Sequence, residues 1–367
     1  MSFDRHSRTL LTPRDLPRFE GDSLFSRVAR AVCGAACLPR KELFESWEVA
    51  ERVRKKWPRG DVFDLACGHG FLAHALLLLE QPRDVEGDAN ESHGVSRALA
   101  FDAKLPPSAA TLSGALTAAF PELQGRVELI EAPLAQARPQ RGEVVVSAHA
   151  CGALTDAVLR VAAHGLARVA VLPCCHDGDA NDAAGLTGWL DEALAIDAAR
   201  AVTLRDRGYH IETQLLPADI TPKNRLLLGT PLLELYEATR YDAHLPSGTV
   251  SLRHGQHHAA LDALLDPDAP EWAFLTTWNP GSRRHARDEN ERRQRELIRQ
   301  VSGRYKQFHG VGAAEDESWS ELSTLVLGIA LEDARALGRA WGQVAILAGR
   351  RGEPARVVLC EEHREQR

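Results

Sequence analysis

A carboxylate followed by two closely spaced glycines stands out in the string VFDLACGHGFLAHALLLL, residues 62–79. The first two residues are typical of a short strand that is buried on both faces, and Asp64 follows them. Gly68 and Gly70 allow a turn in which the backbone approaches a ligand closely, because a larger side chain would fill that space. The alanines and leucines that follow favour a helix. The string therefore predicts the strand, turn and helix of a nucleotide-binding corner in a doubly wound α/β fold.

The turn at Gly68 and Gly70 could serve either of two ligands. It fits the dinucleotide pattern G-x-G-x-x-G/A, which by itself is a weak signal. A pyrophosphate gains nothing from a carboxylate at the strand end, because both groups are negative. S-adenosylmethionine carries a sulfonium and an ammonium, which a carboxylate attracts. Asp64 therefore favours S-adenosylmethionine over NAD as the cofactor.

A second carboxylate, Asp102, ends the next predicted strand, RALAFD at 97–102. At the carboxyl end of a parallel strand such a side chain can accept hydrogen bonds from ribose hydroxyls. Glu86 and Asp88 lie at the more usual distance from the glycines, but RDVEGD does not resemble a buried strand. We therefore expect Asp102 to bind the ribose, with a solvated strand-end carboxylate as the alternative. Glu131 ends the third predicted strand and is expected to approach the adenine.

Two polar segments follow the fourth and fifth predicted strands, SAHACGALTD at 147–156 and LPCCHD at 172–177. Both should face the ligand, because open α/β sheets bind ligands at the carboxyl ends of their strands. A hydroxyl acceptor with a high pKa needs a base within hydrogen-bond reach. His149 is the candidate base, and Asp156 or His176 would orient it. The alternatives are a buried structural histidine at 149 and, at 156, an aspartate that stabilises a helix dipole.

The same two segments contain five potential zinc ligands: His149, Cys151, Cys174, Cys175 and His176. Adjacent residues of an extended chain point to opposite sides, so the cysteine pair makes a poor chelate. The sequence also contains no C-x-x-C pair, the usual zinc-ligand spacing. We therefore expect no metal site, and cysteines that act as small apolar packing residues.

Several of these motifs resemble those of known methyltransferases. DLACGHG at 64–70 resembles the class I motif D/E-x-G-x-G-x-G, with Ala66 in place of the first glycine. The segments SAHACGALTD, LPCCHD and ITPKNRLLLG resemble, in order, those of a group that includes the acceptor-stem tRNA 2′-O-methyltransferases. KELFESWE at 41–48 is similar to the helix that precedes the cofactor motif in that group. The resemblance covers roughly residues 40 to 232.

The resemblance implies a Rossmann-like class I methyltransferase sheet, S-adenosylmethionine as cofactor and RNA as the substrate. A second, smaller α/β domain would follow it. The residues expected to bind the cofactor are Asp64, Ala66, Cys67, Gly68, Gly70, Asp102, Glu131 and Ser147. Those expected to line the acceptor pocket and serve catalysis are His149, Asp156, Cys174 and His176.

The chain organisation fits this expectation. Residues 1–39 are predicted to be a helical lead-in, 40–232 the methyltransferase domain and 235–367 an accessory domain. Alternating strands and helices predict a parallel sheet, and the pair at 209–216 and 225–229 predicts an antiparallel last strand. A plain dehydrogenase domain would lack that strand. Residues 81–93 are polar and predict a loop.

The C-terminal region resembles a small uncharacterised bacterial domain family, through residues 236–241, FLTTWNPGSR at 274–283 and residues 342–346. Trp278, Asn279, Arg283 and Arg284 could grip an anionic partner, since tryptophan stacks and arginine makes paired hydrogen bonds. The alternative is an ordinary Asn-Pro-Gly turn beside a core tryptophan.

Composition excludes several classes of protein. Of 367 residues, 44% are hydrophobic and 26% charged, which is ordinary for a globular protein of two domains. A net charge of −7 argues against a protein that coats nucleic acid over its whole surface. The longest apolar run is too short to cross a bilayer, and the first residues do not resemble a secretory signal.

Seven cysteines, an odd number, suit reduced thiols in the cytoplasm. The preference for Ala and Arg is typical of a GC-rich bacterial genome. The oligomeric state stays open. A competing hypothesis is a cofactor-binding module without turnover, which Ala66 motivates; an NAD-dependent oxidoreductase is a further alternative.

Overall fold

The computed structural model describes residues 4–80 and 96–361, and the chain divides after Pro231 into two compact units. The predicted loop at 81–93, with Glu86 and Asp88, lies outside the described residues. Within the two described ranges, every helix is too short or too polar to cross a bilayer.

The first unit contains a seven-stranded sheet in the order β3-β2-β1-β4-β5-β7-β6. The strands are β1 (Val62–Leu65), β2 (Ala98–Asp102), β3 (Val127–Glu131), β4 (Val144–Ser147), β5 (Arg168–Val171), β6 (Tyr209–Leu215) and β7 (Arg225–Pro231). Neighbours from β3 to β5 pair in parallel, and β7 is antiparallel to both β5 and β6. This confirms the predicted Rossmann-like sheet and its antiparallel closing strand.

Helices cover both faces of this sheet, which is why its central strands are continuously apolar. They are α1 (Leu24–Ala35), α2 (Arg40–Lys56), α3 (Phe71–Leu78), α4 (Ala109–Ala119), α5 (Ala153–His164) and α6 (Glu192–Asp206). In β4 the side chains alternate between two cores. Val144 and Val146 face the core that includes α1 to α4, and Val145 faces the core that includes α5.

The segment between β5 and β6 contains a short 3₁₀ turn, Leu186–Gly188, and then α6. Helix α6 begins after Asp191, whose side chain accepts a hydrogen bond from the Leu194 N–H and so caps the helix. Residues 1–39 do not stand apart as a lead-in, because Val28 and Val32 of α1 are fully buried in the core of the first unit.

The second unit has a seven-stranded antiparallel sheet in the order β14-β13-β10-β12-β11-β8-β9. Its strands are β8 (Arg240–Leu245), β9 (Gly248–Leu252), β10 (Glu271–Leu275), β11 (Lys306–Ala313), β12 (Ser320–Leu327), β13 (Ala345–Arg350) and β14 (Arg356–Leu359). Its helices are α7 (Leu232–Glu237), α8 (Ala259–Asp262), α9 (Arg287–Val301) and α10 (Leu331–Ala340).

The core of this unit lies on the two faces of its sheet. Alternate residues of β10 point to opposite faces: Trp272 and Phe274 pack with α8, whereas Ala273 and Leu275 pack with α9 and α10. This is the second, smaller α/β domain that the sequence predicts. Strands β8, β9, β11 and β14 are not predicted from the sequence.

Candidate functional site

A cavity of about 300 Å³ opens in the first unit where β1, β2 and β4 end. This volume is at the lower end of what small-molecule sites in proteins offer. The cavity lies at the carboxyl edge of the sheet, where the order of strands reverses direction between β1 and β4. Eight residues line it: Ala66, Gly68, Asp102, Ala103, Leu134, His149, Cys151 and Leu154.

The turn after β1 forms one wall of the cavity. Ala66, Gly68 and Gly70 have φ angles of 58°, 54° and 71°, all in the left-handed region. Glycine adopts this region freely, whereas an alanine is strained there. A Cβ on Gly70 would lie 2.7 Å from the Leu129 side chain, so a larger residue does not fit. A Cβ on Gly68 would meet nothing within 4 Å, which leaves open space beside the backbone of the turn.

Asp102 holds this turn in place at the end of β2. Its Oδ2 accepts a hydrogen bond from the Gly68 N–H at 3.0 Å, and its Oδ1 accepts one from the Lys104 N–H at 3.1 Å. Asp102 also lies on the cavity wall, and ribose binding by it stays a prediction.

Asp64 lies beneath the turn rather than on the cavity wall. Its side chain is 2% exposed, and its Oδ2 accepts a hydrogen bond from the Ala73 N–H near the start of α3 at 3.2 Å. Burial raises the pKa of Asp64 to about 8, against the lowering effect of that hydrogen bond. The nearby carboxylates of Glu42 and Asp102 raise this pKa further. The sequence predicts that Asp64 is ionised and faces the ligand. In the structure its carboxyl group is buried and is protonated near neutral pH.

Three other predicted cofactor residues lie around the same edge of the sheet but not on the cavity wall. Glu131 pairs in register with Asp102, is exposed, and accepts a hydrogen bond from the Leu105 N–H. Cys67 is buried in the turn. Ser147 is buried at the end of β4, and its Oγ has no hydrogen-bond partner among the described residues.

His149 follows β4 and lines the same cavity as the glycine turn. Its Nε2 is shielded from solvent and has no hydrogen-bond partner within the described part of the chain. The prediction that Asp156 or His176 orients His149 is wrong, because both of these side chains are bonded elsewhere. Neither of these two side chains therefore supplies the hydrogen-bond partner that the His149 imidazole would need in a catalytic dyad.

Asp156 belongs to an ion-pair network centred on Arg200 of α6. The guanidinium donates to Asp156 Oδ1 at 2.9 Å and Oδ2 at 3.1 Å, and to the Gly152 carbonyl oxygen at 2.9 Å. The Asn181 side-chain amide also donates to Asp156, at 2.7 Å. Arg200 is 3% exposed, so these contacts are made away from solvent. Asp156 therefore positions the loop after β4.

His176 belongs to the same network from the other side. Its Nε2 lies 2.7 Å from Asp197 Oδ1, and Asp197 also pairs with Arg200 at 3.3 Å and with Arg225 at 2.7 Å. The His176 Nδ1 is buried without a partner among the described residues. The network thus ties the loop after β5 to α6 and β7.

The three cysteines of the two loops converge. The distances between Sγ atoms are 3.1 Å for Cys151 and Cys174, 3.3 Å for Cys151 and Cys175, and 3.7 Å for Cys174 and Cys175. The prediction that Cys174 and Cys175 point to opposite sides is wrong, because residues 172–176 form no strand. Burial and the neighbouring thiols raise the pKa of Cys174, and burial raises that of Cys151.

Sequence reasoning misses Arg200, Asp197 and Asn181, which hold the two loops together. Each binds a side chain of these segments that lies 21 to 44 residues away, and no local motif marks the pairing. The one available signal is Arg200, a charged residue between the buried Ala199 and Leu204 of α6. A buried arginine needs carboxylate partners, and the sequence alone does not say which.

The loop at 278–284 in the second unit is an ordinary turn. Asn279 has a φ of 46°, and its Oδ1 accepts hydrogen bonds from the His285 N–H and the Asn290 amide. Its own amide donates to Glu321. The side chain is therefore used within the fold, which corrects the idea that Asn279 is available to grip a partner.

Six strands run in one direction in this sheet, the seventh is antiparallel, and a cavity opens over the glycine turn, which is the arrangement of a Rossmann-like methyltransferase fold. Residues 42–178 match the family model described as a methyltransferase domain. Residues 275–346 match a second family, described as a protein of unknown function (DUF3293). The first unit therefore contains a methyltransferase domain.

Solved structures share this topology at low similarity. An O-methyltransferase family protein from Burkholderia thailandensis is 17% identical with a TM-score of 0.31, over 60% of this chain and 63% of that one. Cofactor-bound Rv0187 from MTB is 16% identical with a TM-score of 0.39, over 60% and 98%. The B. subtilis tRNA methyltransferase TrmK is 15% identical with a TM-score of 0.32, over 51% and 65%.

The chain spans less than two thirds of the length of the first of these structures. Among curated proteins, none matches the chain. At these similarities the neighbours carry no information about the acceptor. The resemblance to the acceptor-stem tRNA 2′-O-methyltransferases therefore stays a prediction.

Proposed function

We propose that this protein transfers the methyl group of S-adenosylmethionine to RNA. The observation that carries the proposal is a cavity with two walls, one formed by the glycine turn with Asp102 and the other by His149 and Cys151. The first wall is suited to a cofactor and the second to an acceptor. The acceptor class is supported by the resemblance of the segments at 147–156 and 172–177 to those of RNA methyltransferases.

The residues at the first wall fit the cofactor. Gly68 leaves open space beside the backbone, so a ligand can approach it closely. Asp102 would accept hydrogen bonds from the ribose hydroxyls, and Asp64 would contribute negative charge once ionised. Glu131 would lie on the adenine side. When bound, S-adenosylmethionine supplies a methyl group on a sulfonium, which a nucleophile displaces in line.

His149 is the candidate base on the second wall. The unpartnered Nε2 can accept a proton from an acceptor hydroxyl. Because that atom is shielded from solvent, the imidazole has to rotate or the loop has to shift before the hydroxyl reaches it. Asp156 and His176 act as positioning residues, through Arg200 and Asp197 respectively. The Sγ atom of Cys174 contacts that of Cys151, which lines the cavity.

The test is transfer of a tritiated methyl group from S-adenosylmethionine into total RNA, total protein and the small-molecule fraction of a strain that lacks the protein. Label in RNA is expected, and His149→Gln should lower the rate by about 100-fold, the usual worth of a general base. The matched control is His164→Gln, at the exposed end of α5, which should keep the full rate. Label in protein or small molecules alone would contradict RNA as the acceptor.

A second candidate is a module that binds the cofactor without turnover. The positive φ of Ala66 favours it, because the cofactor turn carries strain that the glycine of the usual motif avoids. Calorimetry that detects S-adenosylmethionine binding, combined with no label in any of the three pools, would support this candidate. Binding of NADH but not of S-adenosylmethionine would instead indicate an oxidoreductase.

We also expect a cytoplasmic location. All seven cysteines are free thiols, including pairs close enough for oxidation. Reduced thiols are typical of a reducing compartment. Fractionation of cells that express the tagged protein would test this expectation.

A further inference from the structure

The two loops that follow β4 and β5 bring three thiols into one triangle, defined here as the thiol triangle of Cys151, Cys174 and Cys175. Its Sγ to Sγ edges measure 3.1, 3.3 and 3.7 Å. All three Sγ atoms lie within 4.8 Å of one another, which suits three ligands of one metal ion. Because Cys151 also lines the cavity, the triangle adjoins the site proposed for methyl transfer.

Hydrogen bonds hold the two loops that carry the thiol triangle. The Gly152 N–H donates to the Cys175 carbonyl oxygen at 3.2 Å, and the Leu172 N–H donates to the Ser147 carbonyl oxygen at 2.9 Å. Arg200 donates to the Gly152 carbonyl oxygen on the far side of the same loop. These bonds fix both loops relative to each other, so the thiols converge before any ligand binds.

We propose that the thiol triangle binds one zinc ion through three thiolates, with the fourth coordination position open. Zinc prefers thiolate ligands in tetrahedral geometry, and a Zn–S length of about 2.3 Å places sulfurs about 3.8 Å apart. The edge of 3.7 Å already matches this spacing, and the edges of 3.1 and 3.3 Å are shorter than it by about 0.7 and 0.5 Å. The triangle therefore needs only to spread slightly as the ion enters.

Two other roles fit the triangle less well. Packing cysteines in this protein are fully buried, such as Cys33 and Cys360, whereas Cys151 and Cys175 are exposed. A disulfide would use only two of the three thiols and would not explain why the third lies beside them. Binding zinc is balanced without an oxidant: three S–H bonds are lost, three Zn–S bonds form, and three protons go to solvent.

Three protein ligands with an open position are typical of a catalytic rather than a structural zinc ion. No histidine or carboxylate of the described residues joins the cysteines within the 4.8 Å group, so the fourth position is left to water or to an acceptor atom. An ion there would polarise a hydroxyl or thiol that enters the cavity past Cys151. The site stands independently of whether RNA is the acceptor.

The experiment is a titration of the reduced, metal-free full chain with cadmium chloride, which reports thiolate ligation through charge-transfer absorbance. We expect saturation at one equivalent with three thiolates, and displacement by zinc chloride. Cys151→Ser and Cys175→Ser should each weaken binding by at least about 100-fold, more than the loss of an outer-shell partner costs. Both positions are exposed, so serine should leave the fold intact, which near-ultraviolet circular dichroism checks.

The matched control is Cys37→Ser, a half-buried thiol whose Sγ contacts the Ser108 carbonyl oxygen at 3.8 Å. This variant should bind cadmium as the unchanged chain does. A charge-transfer band that survives in both Cys151→Ser and Cys175→Ser would overturn the proposal. So would the absence of any band in folded chain with reduced thiols, or protein isolated from cells with a Cys151–Cys174 disulfide and no metal.

Discussion

The carboxylate of Asp102 accepts a hydrogen bond from the backbone N–H of Gly68, at 3.0 Å from Oδ2. This bond joins the end of β2 to the turn after β1, across the edge of the sheet where the cavity opens. One side chain therefore shapes the turn and also lines the cavity. Loss of Asp102 is expected to affect the cavity through both routes.

Asp102→Ala is expected to weaken S-adenosylmethionine binding by about 10-fold to 100-fold, since a hydrogen bond to a charged group is worth about 1.5–3 kcal/mol. Calorimetric titration measures the change. The matched control is Asp61→Ala, which removes an equivalent bond from Asp61 Oδ1 to the Arg97 N–H, 2.8 Å long, at the opposite edge of the sheet. Equal losses in the two variants would show that the effect is general destabilisation.

Ala66→Gly is expected to raise the free energy of unfolding by about 1 kcal/mol, because glycine relieves the left-handed strain at this φ. Urea denaturation measures this gain. Ala36→Gly is the control, since Ala36 ends α1 with a φ of 54° and lies outside the cavity wall. Both variants should gain stability, and only Ala66→Gly should also change the affinity for S-adenosylmethionine. A loss of stability in Ala66→Gly would contradict the strain argument.

Asp64→Asn is expected to change how stability depends on pH. The folded pKa of Asp64 is raised from 3.8 to about 8, so the folded chain holds a proton that the unfolded chain releases. This contribution to stability is complete below pH 3.8 and is lost as the pH rises towards 8. The unchanged chain should therefore lose up to about 1.4 kcal/mol per pH unit in that window relative to the asparagine variant. Denaturation at several pH values measures the difference.

The same residue should make cofactor binding pH-dependent. A bound sulfonium and ammonium favour the ionised form of Asp64, so affinity should rise between pH 6 and 8. In Asp64→Asn this rise in affinity should be absent. Any titration of the ligand itself affects both proteins equally, so it does not change the comparison. Parallel slopes in the two proteins would show that Asp64 does not sense the cofactor charge.

Arg200→Met is expected to destabilise the first unit by about 3–5 kcal/mol, because it leaves Asp156 and Asp197 without their shared cation. It should also loosen the loops after β4 and β5, and so weaken cadmium binding by the thiol triangle. Urea denaturation and the cadmium titration measure the two effects. Arg205→Met is the control, since Arg205 is exposed on the same helix and pairs only with Asp206 among the ion pairs described. Intact cadmium binding in Arg200→Met would mean that the network does not position the thiols.

Local patterns predict the first unit well. The apolar run at 62–65, the glycines at 68 and 70 and the carboxylate at 102 are each marked by residues within a few positions of one another. The closing antiparallel strand follows from the order of strands and helices. The second unit is predicted less completely, because strands such as β11 carry His309 and Gly310 among polar residues and show no clear alternation.

The site residues divide in the same way. Asp102 lies on the cavity wall at the end of β2, and its binding of the ribose stays a prediction. The predicted orienting partners of His149 and the predicted divergence of Cys174 and Cys175 are wrong. Which side chains pair depends on which loops lie next to each other in the fold. Strands β4 and β5 bring residues 147–152 and 172–177 together, and no local sequence pattern indicates this contact.

The sequence by itself determined the parallel sheet and the glycine turn, because periodicity and turn chemistry act over a few residues. Only the tertiary structure decided that Asp64 is buried with a raised pKa, that Arg200 fixes Asp156, and that three thiols meet. Each of these depends on desolvation or on contacts between distant segments, and both arise only when the chain is packed.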